Sequence, residues 1–338
     1  MNRLHHVKQT LPANILDNND YDNLEFILLD YNSSDGLEEW VRDEMRPFIE
    51  SGRLKYFRTE EPQFFDRTHS RNLMFKLAAG EIFANVDADN FTGKGYATFI
   101  NEEFNKNFNI LLVADTEMRY YFLRNAFGRF CCPRDAYFKV RGMDESMKSY
   151  GSETLDLYHR LKRLGLQEVV IKNTLFLNAI GHSDDERIEN EFFLKNIEKF
   201  YMRFHSYDES EILFLFRNGL FERCKITPET ERTYLPARLI DGSLEKGVWS
   251  VEGKFLLLSC NVNPYFIVET QLHNEVNEKP FYEMHDRRFL RNVAKNYSFI
   301  VNTQKMYTRR ADEDSAINSC AFGQGNVVLN FTQQISTC

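Results

Sequence analysis

No stretch of this chain approaches the roughly 18 consecutive apolar residues of a membrane-spanning helix. The longest apolar runs, 211–216 and Phe255–Leu258, are the size of a strand or a core helix. There is no surplus of basic charge. Against 50 Asp and Glu stand 42 Lys and Arg, a formal net charge of −8, which excludes a protein that neutralises a nucleic-acid backbone broadly. No C-x-x-C pair occurs among the 6 cysteines, and two of them, Cys131 and Cys132, are adjacent. That excludes a disulfide framework and a zinc-finger pattern, and it reads as a reduced, cytoplasmic protein. The opening MNRLHHVKQT lacks the apolar core of a signal peptide. No internal repeat, low-complexity tract or Gly/Ser linker divides the chain.

What is present is ample material for a core, with a hydrophobic fraction of 43% and 14% aromatics over 338 residues. That length suits two domains, or one large and one small. The first ninety residues alternate between helical and extended patterns. A helix is expected at the start, with Leu4, Val7 and Leu11 at helical spacing and Pro12 near its end. His5 and His6 are adjacent, which on a helix reads as two rings that do not share a face as metal ligands. Apolar runs at Leu24–Leu29, Leu54–Phe57 and Ile82–Val86 read as strands; Glu38–Ile49 and Ser70–Ala79 read as helices. This alternation predicts a mostly parallel sheet with helices on its faces, whose ligands bind at the C-terminal strand ends.

The informative stretch is Gly80–Asn90, GEIFANVDADN. A buried strand there ends in Asp87 and Asp89. Residues two apart in extended chain point the same way, so the two carboxylates would converge at a strand end, a place to hold Mg2+ or Mn2+ against phosphates. The competing reading is a strand end capped by turn-forming acids. Asp20 with Asp22, and Asp312 with Asp314, have the same spacing but sit in polar stretches. Asp30 ends an earlier strand and brings another acid to the same rim.

Further on, Asn109–Ala114 reads as a strand and Tyr137–Val140 as extended chain. A strong helix follows, with Leu157, Leu161 and Leu164 on one face and Glu153 and Asp156 on another. Acids in a first helical turn also arise because they complement the helix dipole. Val169–Leu177 reads as a strand, and His182 follows it. The pattern is helical and Phe-rich from about Ile188 to Phe216. From about Tyr234 it turns to short β-like runs, so a boundary is expected near 190–230.

Four stretches, taken together and in order, resemble a glycosyltransferase of the GT-A fold, close to family 2. They are LEFILLDYNSSDG, HSRNLMFKLAAGEIFANVDADN, RGMDESMKSYGSETLDLYHRLKRLG and IGHSDDER. The resemblance covers the first 190 positions and implies a domain over 1–190 with a mixed, mostly parallel α/β sheet. A smaller α+β region over 191–338, a helical connector and β-rich segment, matches no family by its residues. The implied activity is that of an inverting, metal-dependent hexosyltransferase. It would move a sugar from a nucleotide diphosphate sugar, UDP-linked by expectation, to a glycan or glycolipid acceptor in surface polysaccharide synthesis. The resemblance implies Mn2+ or Mg2+ on Asp89, with Asp87 nearer ribose and metal and His182 as a further ligand. It implies nucleotide-sugar contacts from Asp30, Ser34, Arg71 and Asp87, and an acceptor side built by Asp144 and Glu145. Peripheral contact with a membrane is compatible with such an acceptor.

Two positions depart from the family pattern. The acid that usually serves as base after Glu153 is replaced by Thr154, whose hydroxyl is no general base near neutral pH. Glu153, Asp156, Asp144 or Glu145 takes that role, with Glu153 first, or the chemistry is impaired. The family also opens with a strand before NRLHHVKQTLP, and here Met1 precedes Asn2 directly; a sheet without it would expose unpaired edges. Both departures leave room for a catalytically impaired sugar-nucleotide or glycan-binding relative. A nucleotidyltransferase of similar fold would need a Gly-rich, basic loop that the sequence lacks.

Overall fold

The computed structural model describes residues 1–114, 126–228, 237–253, 255–260, 264–268, 280–311 and 317–337. Asp312 and Asp314 lie outside them. The chain forms two compact units. The first comprises 1–147, 153–190 and 314–338, and the second 148–152 and 191–313. The break near 190 falls where the pattern changes, but the last stretch of chain returns to the first unit instead of staying with the C-terminal region.

The first unit runs α1 (Leu4–Asp17), β1 (Phe26–Tyr31), α2 (Leu37–Glu44), α3 (Arg46–Glu50), β2 (Leu54–Thr59), α4 (Arg67–Leu77), β3 (Ile82–Asn85), α5 (Tyr96–Lys106), β4 (Ile110–Val113), β5 (Phe130–Pro133), α6 (Arg134–Lys139), α7 (Glu153–Arg163), β6 (Gln167–Val170) and α8 (Asp184–Ile188). Helix α1 runs through Pro12 and ends at Asp17, five residues beyond the expected stop. The single helix expected over Glu38–Ile49 breaks at Met45, because Pro47 has no N–H to continue the ladder. Residues 137–140, expected as extended, mostly belong to α6. The helix starts directly after Pro133, and Asp135 in its first turn complements the helix dipole.

The architecture is mixed α/β. Parallel pairing joins β1 to β2 and β4 to β6. Strand β5 runs antiparallel to both β3 and β4. The C-terminal hairpin of β15 (Gly325–Leu329) and β16 (Gln333–Thr337) adds antiparallel to β2. The result is two four-stranded sheets, β1-β2-β15-β16 and β3-β5-β4-β6. Strands β1 and β3 are each the last strand of their sheet among the described residues. Residues of both, Ile27, Leu28 and Leu29 from β1 and Asn85 from β3, line a cavity of about 250 Å³. Under the second sheet, Phe75 of α4, Phe83 of β3, Phe130 of β5 and Tyr137 of α6 form one apolar cluster with Leu157 and Tyr158 of α7. The rings of Phe75 and Phe83 stack at 4.7 Å. This cluster fixes where α4 and α7 present their polar residues.

The hairpin returns for specific contacts. Asn318 Nδ2 donates to the carbonyls of Arg141 and Met143 at 2.8 and 2.7 Å. Gly323 N donates to Glu145 at 2.6 Å. Gly323 lies at φ +57°, and a Cβ there would meet the Asn72 backbone at 2.7 Å, so only glycine fits.

The second unit holds α9 (Phe192–Asn196), β7 (Ile197–Phe204), β8 (Ser210–Phe216), β9 (Leu220–Pro228), β10 (Ala237–Leu239), β11 (Glu245–Glu252), β12 (Phe255–Ser259), β13 (Pro264–Val268), β14 (Tyr282–Glu283) and the helix α10 (Arg287–Ala311). Its strands form one antiparallel sheet, β13-β12-β11-β9-β8-β7-β14 with β10 on β9. Residues 197–204 and 210–216 are therefore strands, not helix. Phe200, Met202, Ile212 and Phe214 pack on one face with Tyr297 and Ile300 of α10. Tyr201, Leu213, Leu215 and Phe221 pack on the other. With both faces buried, the period-2 alternation that marks a half-exposed strand disappears.

Candidate functional site

The expected strand over Ile82–Val86 ends at Asn85, and Asn90 N donates to the Asp87 carbonyl at 2.9 Å. Asp87 and Asp89 thus sit on a turn just beyond the strand, not on its extended end. Both line the cavity. The turn is held from two sides. Thr10 Oγ1 of α1 donates to the Ala88 carbonyl at 2.7 Å, and Asn14 Nδ2 donates to that of Asn90 at 2.9 Å. On the other side, Ile180 N donates to the Asp89 carbonyl at 2.8 Å, and Asn90 bridges Ala179. This bridge carries His182 to Asp89, with Nε2 at 2.8 Å from Oδ2. The hydrogen bond that His182 donates to Asp89 raises the His182 pKa above its ordinary value against the effect of burial, which favours an ion pair.

Asp87 faces α4. Its Oδ1 accepts from Arg71 Nη2 at 2.9 Å and from Asn85 Nδ2 at 3.2 Å. Burial pushes the Asp87 carboxyl up, but the charge and hydrogen bond of Arg71 outweigh it and hold the group below the usual range. Arg71 is 8% exposed. Its Nη1 lies 3.6 Å from Glu153 Oε1, and Arg67 Nε lies 3.7 Å from the same oxygen. Asp87, Arg71, Glu153 and Arg67 form one charge network from the turn after β3 through α4 to α7, with Arg71 and Glu153 buried and Asp87 and Arg67 partly exposed. It rests on Asp66, which caps α4 by accepting from His69 N at 3.0 Å.

The remaining residues singled out from the sequence fall into three places. Asp30 is fully buried. It accepts from Ser33 N at 2.8 Å, Tyr56 Oη at 2.8 Å and Arg58 Nη1 at 2.5 Å, so its carboxylate is taken up by the chain and does not line the cavity. Ser34 is exposed, and its N donates to Asn2 Oδ1 at 2.8 Å. On the α7 side, Asp156 is buried and accepts from Arg160 Nε at 2.8 Å, while Thr154 is buried beside Glu153. Asp144 accepts from Ser146 N and Oγ, both at 3.0 Å. Glu145 accepts from Asn72 Nδ2 at 2.8 Å and from Gly323 N.

The site therefore brings together Asp87, Asp89, His182 and Arg71 on one cavity, with Glu153 one ion pair behind. Asp89 and His182 pair directly, whereas Asp87 turns to Arg71. Two carboxylates and an imidazole are a donor set that suits Mn2+ or Mg2+ with phosphate and water completing the shell.

Several contributing residues carried no recognised signal. Thr10 and Asn14 lie four apart on the buried face of α1, and polar residues on such a face point to a partner. Arg67 lies one turn before Arg71 on the same helix face. Asn72 is fully buried; it accepts from Tyr137 Oη at 2.6 Å and Met143 N at 2.8 Å.

Residues 2–119, about a third of the chain, match the model of glycosyl transferase family 2. No curated protein matches the sequence. Among solved structures, the chain is similar to the catalytic domain of Drosophila beta1,4galactosyltransferase 7 in complex with xylobiose, at 17% identity and TM-score 0.32, covering 50% of this chain and 75% of that one. It is also similar to GalNAc-T7 with UDP, GalNAc and Mn2+, at 12% identity and TM-score 0.41, covering 84% of this chain and 70% of that one. At such scores these likenesses decide nothing about the site.

Proposed function

We propose that this chain, whose N-terminal unit carries a glycosyltransferase family 2 domain, is a metal-dependent hexosyltransferase of GT-A type. It transfers a sugar from a nucleotide diphosphate sugar, UDP-linked by preference, to a hydroxyl of a glycan or glycolipid, with inversion. The observation that carries this reading is the convergence of Asp87, Asp89, His182 and Arg71 on one cavity.

A divalent cation held by Asp89 and His182, with Asp87 beside it, would neutralise the leaving diphosphate. Arg71 orients Asp87 through their 2.9 Å bond and keeps the negative charge of the site from accumulating. Glu153 accepts the acceptor hydroxyl proton. The new C–O bond forms at the anomeric carbon as the bond to the diphosphate oxygen breaks, and the electron pair leaves with the diphosphate. Asp30 supports the site from behind, by fixing Arg58 and the turn at Ser33. Among the described residues no helix is long and apolar enough to cross a membrane. The described cysteines are all free, which supports a reducing compartment, in keeping with cytoplasmic synthesis of a surface polysaccharide.

A second reading is a relative that binds the sugar nucleotide without turnover. It is favoured by Thr154 in place of an acid and by the engagement of Glu153 with two arginines. The two readings separate on hydrolysis of a panel of UDP-sugars with and without Mn2+. Metal-dependent release of UDP supports the transferase. UDP binding with no release from any donor supports the binding relative, and no binding at all overturns both.

A further inference from the structure

The first turn of α1 and the start of α8 meet at the rim of the cavity, which His6 and Arg3 also line. Adjacent residues on a regular helix point about 100° apart, yet the ring centroids of His5 and His6 lie 4.0 Å apart, with their planes 43° to one another. Glu186 Oε1 lies 2.8 Å from His5 Nε2 and 3.7 Å from His6 Nε2. Both imidazoles thus reach one carboxylate although they are adjacent on the helix. At the first turn, His5 lies over the outside of the helix end while His6 is 3% exposed beneath it. One ligand atom from each of the three residues falls within a span of 4.8 Å. Ser183 Oγ accepts from Glu186 N at 3.2 Å and seats the carboxylate. The Nδ1 of His6 is buried without a hydrogen-bond partner among the described residues.

We propose that His5, His6 and Glu186 form a binding site for a borderline transition-metal cation, Zn2+ above all, beside the Asp87–Asp89 pair and sharing no ligand with it. Two imidazoles and one carboxylate are the ligand set of three-ligand zinc sites, whose fourth position stays open to water. Imidazole ligation favours Zn2+, Ni2+ or Cu2+ over Mg2+ and Mn2+, and this set carries two imidazoles and one carboxylate where the Asp87–Asp89–His182 set carries one imidazole and two carboxylates. Bonds of about 2.0–2.2 Å to a tetrahedral ion place ligand atoms roughly 3.4 Å apart, so the widest separation must close by about 1.4 Å while the His5–Glu186 contact opens by about 0.6 Å, a side-chain adjustment. Two groups oppose the cation. Arg3 Nη1 lies 3.4 Å from Glu186 Oε1 and must swing aside. The ring of His182 lies 5.7 Å from that of His6 and is kept occupied by Asp89. The bound cation would tie α1 to the segment that carries His182. The proposal does not rest on the transferase reading.

The test is calorimetric titration of the full chain with Zn2+ at pH 7.5, in the absence of nucleotide. The wild type is expected to bind one Zn2+ at micromolar or lower Kd. His5→Ala, at an exposed position that spares the fold, and Glu186→Gln should each weaken it at least tenfold. Asp89→Asn should leave it within about threefold. The proposal is overturned if the wild type binds no Zn2+ below about 100 μM, if His5→Ala and Glu186→Gln bind as wild type does, or if Asp89→Asn abolishes the binding, which would place the ion in the donor site.

Discussion

Asp30 separates a ligand contact from a structural anchor, and the two roles predict different behaviour for Asp30→Asn. The substitution keeps size and removes charge. One oxygen of Asp30 accepts from Ser33 N, and the other accepts from both Tyr56 Oη and Arg58 Nη1. Whichever way the amide turns, its NH2 faces a donor. Each lost bond to a charged group costs about 1.5–3 kcal/mol, and a fully buried cation left unpaired costs about 3–5 kcal/mol. Arg58 is not left alone, because Glu38 and Glu60 remain at 3.2 and 3.3 Å and its side chain is 16% exposed. The expected loss is therefore about 2–4 kcal/mol. For a unit of this size that lowers the melting midpoint by roughly 5–15 °C. Differential scanning calorimetry reads the midpoint, and titration of Mn2+ with UDP well below it reads the affinity. We expect the midpoint to fall and the affinity to stay within about threefold. An unchanged midpoint with lost affinity would refute the reasoning and restore Asp30 as a nucleoside contact.

Other perturbations probe other parts of the molecule. Glu153→Gln should lower turnover at least ~100-fold, the low end of general-base contributions, with Mn2+–UDP affinity nearly intact, while Thr154→Asp should leave activity unchanged or raise it; full turnover in Glu153→Gln alongside loss in Asp156→Asn would move the base one turn along α7. Burial raises the Glu211 carboxyl, but Arg223, His205 and Arg203 outweigh it, so its folded pKa lies below the ordinary 4.5. The stabilisation is then present above pH 4.5 and lost as pH falls through the lower folded value, and acid melting of the second unit should show that dependence in the wild type but not in Glu211→Gln. Asn72→Ala strands Tyr137 Oη, Met143 N and a carboxylate contact, and should cost about 2–4 kcal/mol in urea denaturation; a loss under 1 kcal/mol would show that water replaces these bonds.

The elements of the first unit were readable where one face is exposed. Amphipathic α4 and α7 and the short runs of β1, β2 and β3 follow from periodicity and terminators. Strands β7 and β8 were not, because apolar residues fill both of their faces and the period-2 alternation is lost. The return of β15 and β16 to β2 carries no local signal, since pairing across that much chain depends on an edge the sequence does not mark. At the site, Asp87, Asp89 and His182 were named from their residues, but their arrangement depends on backbone contacts from Thr10, Asn14 and Ile180. The partners of Asp30 and Glu153 were hidden for a related reason. Arg58 and Arg67 look like ordinary surface charges until packing covers most of each.

The most direct test of the central claim is the dependence of nucleotide binding on metal. Isothermal titration of UDP into the wild-type chain, with Mn2+ and again with EDTA, measures whether the Asp89–His182 pair and Asp87 hold a cation against a diphosphate. Binding should appear only with Mn2+, vanish in Asp89→Asn and weaken less in His182→Ala. Equal UDP affinity in Mn2+ and EDTA, or wild-type metal dependence in Asp89→Asn, would contradict the assignment.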